Sequence, residues 1–181
     1  MWNCAKGKRA FWPPISGWEC PRLRSESMRV LLKTGELVNI QWHASEPDNP
    51  SPAHNVLLTL NQLEHSDKTE GLGVQLSPGD DASALLPQLH RIAVVAIDFT
   101  AFMDGRGFSQ ARYLREAGFK GEIRATGDYI RDQLFYLSKV GVDAFVLPKD
   151  ADPDDWRRAL TDISESYQSN ADQPLPLFRR R

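Results

Sequence analysis

The second half of the chain alternates between apolar runs and segments with helical periodicity. Residues 92–99 (IAVVAIDF) are almost continuously apolar, as expected for a strand buried on both faces of a sheet. Further strands are predicted at 122–126 and 144–147, and helices at 109–117, 129–140 and 153–167. Such alternation is typical of βαβ units that build a parallel sheet.

Capping residues support the boundaries of these helices. Asp152 followed by Pro153 is a strong start signal, because the carboxylate can cap the helix and proline suits its first position. Ser109 is predicted to cap the first of the three helices. Gly118 and Gly141 lie where helices commonly end in the left-handed conformation.

The first half of the chain predicts shorter elements. Residues 29–42 predict two strands joined by a tight turn, a small N-terminal hairpin. A short strand, a helical turn, a second strand and a short helix or coil follow at 56–60, 61–65, 73–76 and 82–90. A closed eight-stranded βα barrel needs at least ~200 residues. We therefore predict an α/β fold with an open, mostly parallel sheet or a partial barrel.

Residues 1–27 differ in pattern from the rest of the chain. They show neither strand nor helix periodicity, yet hold both cysteines and three of the five tryptophans. The pattern changes at Met28, where a strand-turn-strand signal begins. Our hypothesis is that Met28 is the natural start and residues 1–27 are an artefactual extension. The alternative is a genuine extension that is poorly ordered.

The remaining chain predicts one domain and a tail. Residues 28–168 should form a single α/β domain, whereas 169–181 should be irregular. In that tail, Leu175, Leu177 and Phe178 could dock on the body of the protein or on a neighbouring copy.

Composition and charge narrow the class of protein. Of 181 residues, 41% are hydrophobic and 25% charged, which is typical of a soluble globular domain. No apolar run approaches the ~20 residues of a membrane span. The net charge of the chain is −2. Residues 1–27 together carry a net charge of +3, and the three residues Arg179 to Arg181 together carry another +3, so residues 28–178 carry −8. We therefore expect a cytoplasmic protein that repels nucleic acid.

Candidate chemistry lies where strands of the predicted sheet end, because ligands of parallel sheets bind beyond the carboxyl ends of the strands. There Gly105 and Gly107 flank Arg106, directly before a predicted helix. Glycines allow close backbone approach, a helix N-terminus attracts anions, and arginine offers a planar fork for an oxyanion. The alternative is a rigid turn that is held together by an Asp104–Arg106 ion pair.

Two further arginines could join such an anion site. Arg124 lies inside a predicted strand and needs a partner, for which Asp98 and Asp128 are candidates. Arg131 opposes the dipole of its predicted helix, so it could meet an anion or Asp104. The candidate catalytic residues are Asp104 and Asp128, and the candidate anion-binding residues are Gly105, Arg106, Gly107, Ser109, Arg124 and Arg131.

Other polar and aromatic residues favour structural roles. The four histidines fall in separate segments without metal-ligand spacing, so no metal site is predicted. No flavin, nicotinamide, haem or iron–sulfur signature is present, so no cofactor is predicted. Arg112 and Arg115 should lie on a solvated face or pair with Glu116 and Glu122. Packing roles are predicted for Tyr113, Phe119, Phe135, Tyr136, Phe145 and Trp156.

The run FMDGRGFSQARYLREAGFKGEIRATGDYIRDQLFYLSKVGVDAF, residues 102–145, resembles a family of small bacterial proteins. The family is a domain of unknown function, number nine-three-four, and the resemblance extends more weakly back to Met28. Its members are labelled as oxidoreductases or as accessory proteins of sulfite reduction, from genomic association with assimilatory sulfite reductase. The resemblance supplies no catalytic residues. Many relatives carry Arg-Cys where this chain has Lys139-Val140, so no role of that cysteine applies here.

Three functional hypotheses follow. The resemblance implies an accessory protein of assimilatory sulfate or sulfite reduction, whose partner is sulfite reductase, another sulfur-assimilation protein or a small oxyanion. The Asp and Arg residues at the predicted sheet edge favour an enzyme acting on a small phosphate, sulfate or carboxylate. The apolar residues of the tail favour a structural homo-oligomer without catalysis.

Overall fold

A computed structural model describes residues 28–40, 43–44, 56–66 and 71–180. The predictions for residues 1–27 and for His54 lie outside this part of the chain. The strands are β1 (Met28–Leu32), β2 (Leu37–Ile40), β3 (His43–Ala44), β4 (Val56–Leu58), β5 (Leu72–Leu76), β6 (Ile92–Phe99), β7 (Glu122–Gly127) and β8 (Ala144–Val146).

These strands form one open sheet in the order β2-β1-β8-β7-β6-β5-β4-β3. Neighbouring strands from β3 to β8 run parallel, whereas β1 is antiparallel to both β2 and β8. The sheet curls into a half-barrel with helices between the strands. The predicted α/β class, the mostly parallel sheet and the N-terminal hairpin are confirmed.

Four α-helices and three 3₁₀ helices accompany the described strands. The α-helices are α1 (Leu60–Glu64), α2 (Arg106–Glu116), α3 (Leu134–Val140) and α4 (Pro153–Ala159). The 3₁₀ helices are Ala82–Arg91, Arg131–Gln133 and Leu177–Arg179. The predicted helix 129–140 is thus divided into a 3₁₀ turn and the shorter α3.

Two helix boundaries differ from prediction. Ser109 does not cap α2, because the helix already begins at Arg106, whose backbone N–H donates to the Asp104 carboxylate over 3.1 Å. The prediction that α4 continues to residue 167 is wrong, since α4 ends at Ala159. Its start is confirmed, with the Asp152 carboxylate accepting from the backbone N–H of Asp154. Beyond α4, Ile163 and Tyr167 are exposed, so no packed apolar face supports a longer helix.

The main core lies between the helices and one face of the sheet. Alternate residues Val95, Ile97 and Phe99 of β6 belong to it, whereas Val94 and Ala96 belong to a smaller cluster on the opposite face. Both faces of β6 are therefore buried, which explains its continuous apolar run.

Arg115 ties together loops at the amino edge of β7 and β8. Its guanidinium pairs with Asp143 and donates to the carbonyls of Gly141 (2.9 Å), Phe119 (2.8 Å) and Gly121 (2.8 Å). The predicted solvated role of Arg115 is therefore wrong.

The neighbouring Arg112 forms one of the ion pairs that were predicted for it. It pairs with Glu116 one helical turn later, at 2.5 Å, on the exposed side of α2. The two arginines differ because the Arg115 side chain reaches buried carbonyls, whereas that of Arg112 does not leave the helix surface.

Candidate functional site

The loops that follow β6 and β7 meet at the carboxyl edge of the sheet, as predicted. The backbone N–H of Asp128 donates to the carbonyl of Phe99 over 2.5 Å. The side-chain amide of Gln133 donates to the carbonyl of Phe102 over 2.9 Å. These bonds fix the loop that carries Asp104 against the segment after β7.

The loop that follows β8, residues 148–150, is held by the hairpin. The guanidinium of Arg29 on β1 donates to the carbonyls of Pro148 (2.7 Å) and Lys149 (2.6 Å). The loop after β8 is therefore anchored through its own backbone to the antiparallel strand beside it.

Asp104 and Arg106 form a bidentate pair within their loop. Nε of Arg106 lies 3.0 Å from Oδ1 of Asp104, and Nη2 lies 2.7 Å from Oδ2. Hydrogen bonds from Arg106 lower the pKa of Asp104, which favours the ionised carboxylate and weakens it as a base. The Arg106 guanidinium is thus paired with a carboxylate of its own chain, as the alternative of a rigid turn predicts.

The two glycines beside Arg106 have different surroundings. A Cβ on Gly107 would lie 2.6 Å from the Phe99 ring, so this glycine lets α2 pack closely on β6. A Cβ on Gly105 would meet nothing within 4 Å. The structure therefore gives Gly107 a packing role and places Gly105 in open space.

Arg124 lies on the sheet face opposite α2. Its side chain is 1% exposed, and its Nε lies 2.7 Å from Oε1 of Glu122, two residues earlier on β7. Glu122 is thus a partner in place of the predicted Asp98 or Asp128. Ala96 and Ala144, the register neighbours of Arg124, are fully buried and leave room for its guanidinium.

Arg131 is tied to α4 and the segment after it. Its Nε lies 2.9 Å from Asp155, its Nη2 lies 2.9 Å from Asp162, and a longer contact of 3.4 Å reaches Asp132. Arg131 therefore joins the 3₁₀ turn to α4, while Asp104 pairs with Arg106. The three arginines are not brought to one common point.

Asp98, predicted only as a candidate partner of Arg124, is a half-buried carboxylate near the carboxyl edge of the sheet. It is the penultimate residue of β6, lies on the same face as Arg124 and is beside Thr126 in register. Burial raises the pKa of Asp98, and a hydrogen bond with Thr126 partly offsets that effect. A Cβ on the adjacent Gly127 would lie 2.6 Å from Oδ1 of Asp98. The signal that could have found Asp98 is a single acidic residue near the end of an otherwise apolar strand.

An exposed apolar area lies beside the carboxyl edge, and we call it the loop surface. It comprises Phe102 (47% exposed), Met103 (82%), Ile130 (43%) and Tyr136 (59%). Gln133 links its parts, since its amide donates to the Phe102 carbonyl and accepts from the Ile130 N–H over 3.2 Å. The sequence pattern did not predict this surface, and the packing role predicted for Tyr136 is wrong, since its side chain is exposed.

A groove between α2 and α3 continues from Tyr136. Its volume is about 350 Å³, and its lining residues are Phe108, Ser109, Arg112, Tyr113, Glu116, Tyr136 and Val140. Tyr113 is 41% exposed, so its predicted packing role is wrong, whereas Phe119, Phe145 and Trp156 are buried as predicted. The lining of the groove therefore combines three aromatic side chains with the Arg112–Glu116 ion pair.

Metal-binding clusters and membrane-spanning helices are both absent from the described part of the chain. No group of three or more His, Cys, Asp or Glu residues in ranges 28–40, 43–44, 56–66 and 71–180 is arranged to hold a metal ion. Within these same ranges, no helix combines the length and apolar character needed to cross a bilayer.

Comparison with known proteins identifies a family whose model matches more than half of the chain. The family described as "Bacterial protein of unknown function (DUF934)" matches residues 73–178, from β5 to the C-terminal 3₁₀ helix. No curated protein and no solved structure matches the chain.

Proposed function

The chain belongs to the DUF934 family of bacterial proteins, and on that premise we propose that it is a non-catalytic accessory protein of assimilatory sulfate or sulfite reduction. In this proposal it acts in the cytoplasm by binding sulfite reductase. The sequence resemblance is the basis for the proposed process, sulfate or sulfite reduction. The loop surface supports the proposed action, which is binding of a protein partner.

The ion pairs of the site argue against an anion-binding enzyme. Each arginine expected to hold an anion already faces a carboxylate of the same chain. The pairs are Arg106 with Asp104, Arg124 with Glu122, and Arg131 with Asp155 and Asp162. An incoming oxyanion would have to replace these carboxylates and would meet their negative charge. An anionic substrate is therefore poorly matched to these groups.

The loop surface is the observation that carries the proposal. Met103 is 82% exposed and Phe102 47% exposed, although the loop that bears them is fixed at Phe99 and Gln133 by backbone and amide hydrogen bonds. Large apolar side chains on a fixed loop suit a protein interface, because little entropy is lost when they are covered. Phe, Met, Tyr and Arg are also the residues enriched in interface centres.

Growth of a deletion strain tests the proposal. The gene is removed from its host, and growth is compared on sulfate, sulfite, sulfide and cysteine as sole sulfur sources. We expect growth on sulfide and cysteine but poor growth on sulfate and sulfite. The wild-type gene should restore growth, and Met103→Asp should not, because a carboxylate at the centre of an apolar interface must be desolvated.

Leu86→Asp provides the matched control. Leu86 is 39% exposed and lies in the 3₁₀ helix Ala82–Arg91, so the same charge is placed outside the loop surface. We expect this variant to restore growth on sulfite and Met103→Asp to abolish binding of purified sulfite reductase. Equal growth of the deletion strain on all four sources, or unchanged reductase binding by Met103→Asp, would contradict the proposal.

A further inference from the structure

A second exposed apolar area lies on the C-terminal segment, and we call it the tail surface. It comprises Tyr167 (61% exposed), Leu175 (52%), Leu177 (42%) and Phe178 (59%). The side chains of Leu175, Leu177 and Phe178 thus remain largely exposed. This contradicts their docking on the body, which was one of the two predicted alternatives. The Tyr167 and Phe178 rings lie side by side, with centroids 6.2 Å apart.

The tail surface is held in a closed loop. The backbone N–H of Leu177 donates to the carbonyl of Tyr167 over 3.0 Å. The guanidinium of Arg180 donates to the carbonyls of Leu175 (2.8 Å) and Ser166 (2.9 Å). Both arms of the loop are thus joined near their ends, and the apolar side chains are presented from a defined backbone.

The loop is also attached to the body of the protein by polar contacts. The backbone N–H of Ala171 donates to the carbonyl of Lys139 at the end of α3, over 3.0 Å. The Lys33 ammonium, next to the hairpin turn, lies 2.6 Å from the Asp172 carboxylate. The polar part of the segment therefore contacts the body, while its large apolar side chains remain exposed.

Charge at the rim of the tail surface indicates what covers it. Glu165 lies beside the surface with a side chain 66% exposed, and its contact to Arg180 is long, at 3.4 Å. Arg179 lies on the same segment, its guanidinium 5.6 Å from the centre of the Phe178 ring. The surface thus carries an apolar centre and both signs of charge. A two-fold axis pairs a surface with itself, so a patch with both signs of charge can place each charge against its opposite on a second copy.

We propose that the tail surface is an interface between two copies of this chain, related by a two-fold axis. Tyr167, Leu175, Leu177 and Phe178 of each copy cover one another, and the Glu165 carboxylate of one copy meets the arginines of the other. This interface uses different residues from the loop surface. It therefore goes beyond the proposed function and does not depend on it.

Sedimentation velocity of the full chain tests this proposal across about a hundred-fold range of protein concentration, since self-association depends on concentration. We expect wild type to be a dimer that dissociates on dilution. Phe178→Asp should be monomeric throughout, with unchanged circular dichroism because its side chain is exposed. Met103→Asp, on the loop surface, is the matched control and should remain dimeric.

Charge reversal separates this interface from other arrangements. Glu165→Arg should weaken the dimer, and adding Arg179→Glu should restore it, because the opposite signs then face each other again. A wild type that stays monomeric at every concentration overturns the proposal. A dimer that Phe178→Asp leaves intact also overturns it. Growth on sulfite reports on the loop surface, so failure of one proposal is distinguishable from failure of the other.

Discussion

At the scale of single residues, Gly107 shows how a residue expected to approach a ligand is used for packing. Its missing side chain brings α2 against Phe99, whose ring lies 2.6 Å from the position that a Cβ would occupy. We expect Gly107→Ala to lower the free energy of unfolding by about 1–3 kcal/mol, the usual cost of overpacking. Urea denaturation measures this change.

Gly105→Ala is the internal comparison for that experiment. A Cβ at Gly105 meets nothing within 4 Å, and the φ angle of −78° suits any residue. We therefore expect little change in stability. A loss at position 105 equal to that at 107 would show that the Phe99 contact is not the cause.

Two carboxylates of the site should affect stability with opposite dependence on pH. Burial raises the pKa of Asp98, so the stability that this group contributes is full below its unfolded value of 3.8 and is lost as pH rises through the folded pKa. We expect Asp98→Asn to stabilise the protein near neutral pH and to have little effect in acid. Thermal unfolding at a series of pH values measures the difference.

Asp104 provides the opposite case. Arg106 lowers the pKa of Asp104, so its contribution is present above the unfolded value of 3.8 and is lost as pH falls through the folded pKa. Asp104→Asn should therefore destabilise the protein near neutral pH and converge with wild type in acid. Parallel pH profiles for the two variants would contradict the opposite pKa shifts of Asp98 and Asp104.

At the scale of elements, Arg115 joins α2 to the amino edges of β7 and β8. Its guanidinium meets three carbonyls and Asp143, and the side chain is only 17% exposed. We expect Arg115→Ala to cost about 2–3 kcal/mol, because carbonyls and a carboxylate lose a charged donor. Chemical denaturation with Arg112→Ala as control checks this, since the exposed Arg112–Glu116 pair should contribute only about 0.3–0.5 kcal/mol.

The elements that sequence patterns predicted well are those whose signals are local. The run 92–99 and the Asp152-Pro153 start were predicted correctly, because burial on both faces and helix capping leave marks within a few residues. The end of α4 at Ala159 was not predicted, because the helical spacing of Ile163 and Tyr167 continues without a surface to cover it.

Partners of charged residues were harder to predict than the elements that carry them. Arg124 was correctly expected in a buried strand, but Glu122 rather than Asp98 faces its guanidinium. Glu122 lies two residues before Arg124 on β7 and Asp98 lies on the neighbouring β6, and both share the sheet face of Arg124. Which of these two carboxylates pairs with the guanidinium therefore depends on side-chain geometry. Arg115 likewise reaches Asp143, 28 positions away, which no local pattern indicates.

At the scale of the whole molecule, the C-terminal segment is attached to the body by few contacts. Removing residues 169–181 deletes the Lys33–Asp172 pair and the Ala171–Lys139 backbone bond but none of the buried hydrophobic core. We expect the shortened chain to fold with a small loss of stability, of about 1–2 kcal/mol. Differential scanning calorimetry checks this, and failure to fold would show that the segment belongs to the domain itself.

The position of β1 in the sheet has a consequence for the order of events in the cell. Val30 pairs with Val146, so the first strand of the hairpin finds its sheet neighbour 116 positions later. Contacts this distant in sequence are slow to form, because a long stretch of chain must be closed first. While the ribosome is still making the intervening strands, Val30 and Leu31 have no β8 to cover them. The apolar residues of the hairpin therefore remain exposed to other chains until synthesis has passed residue 146.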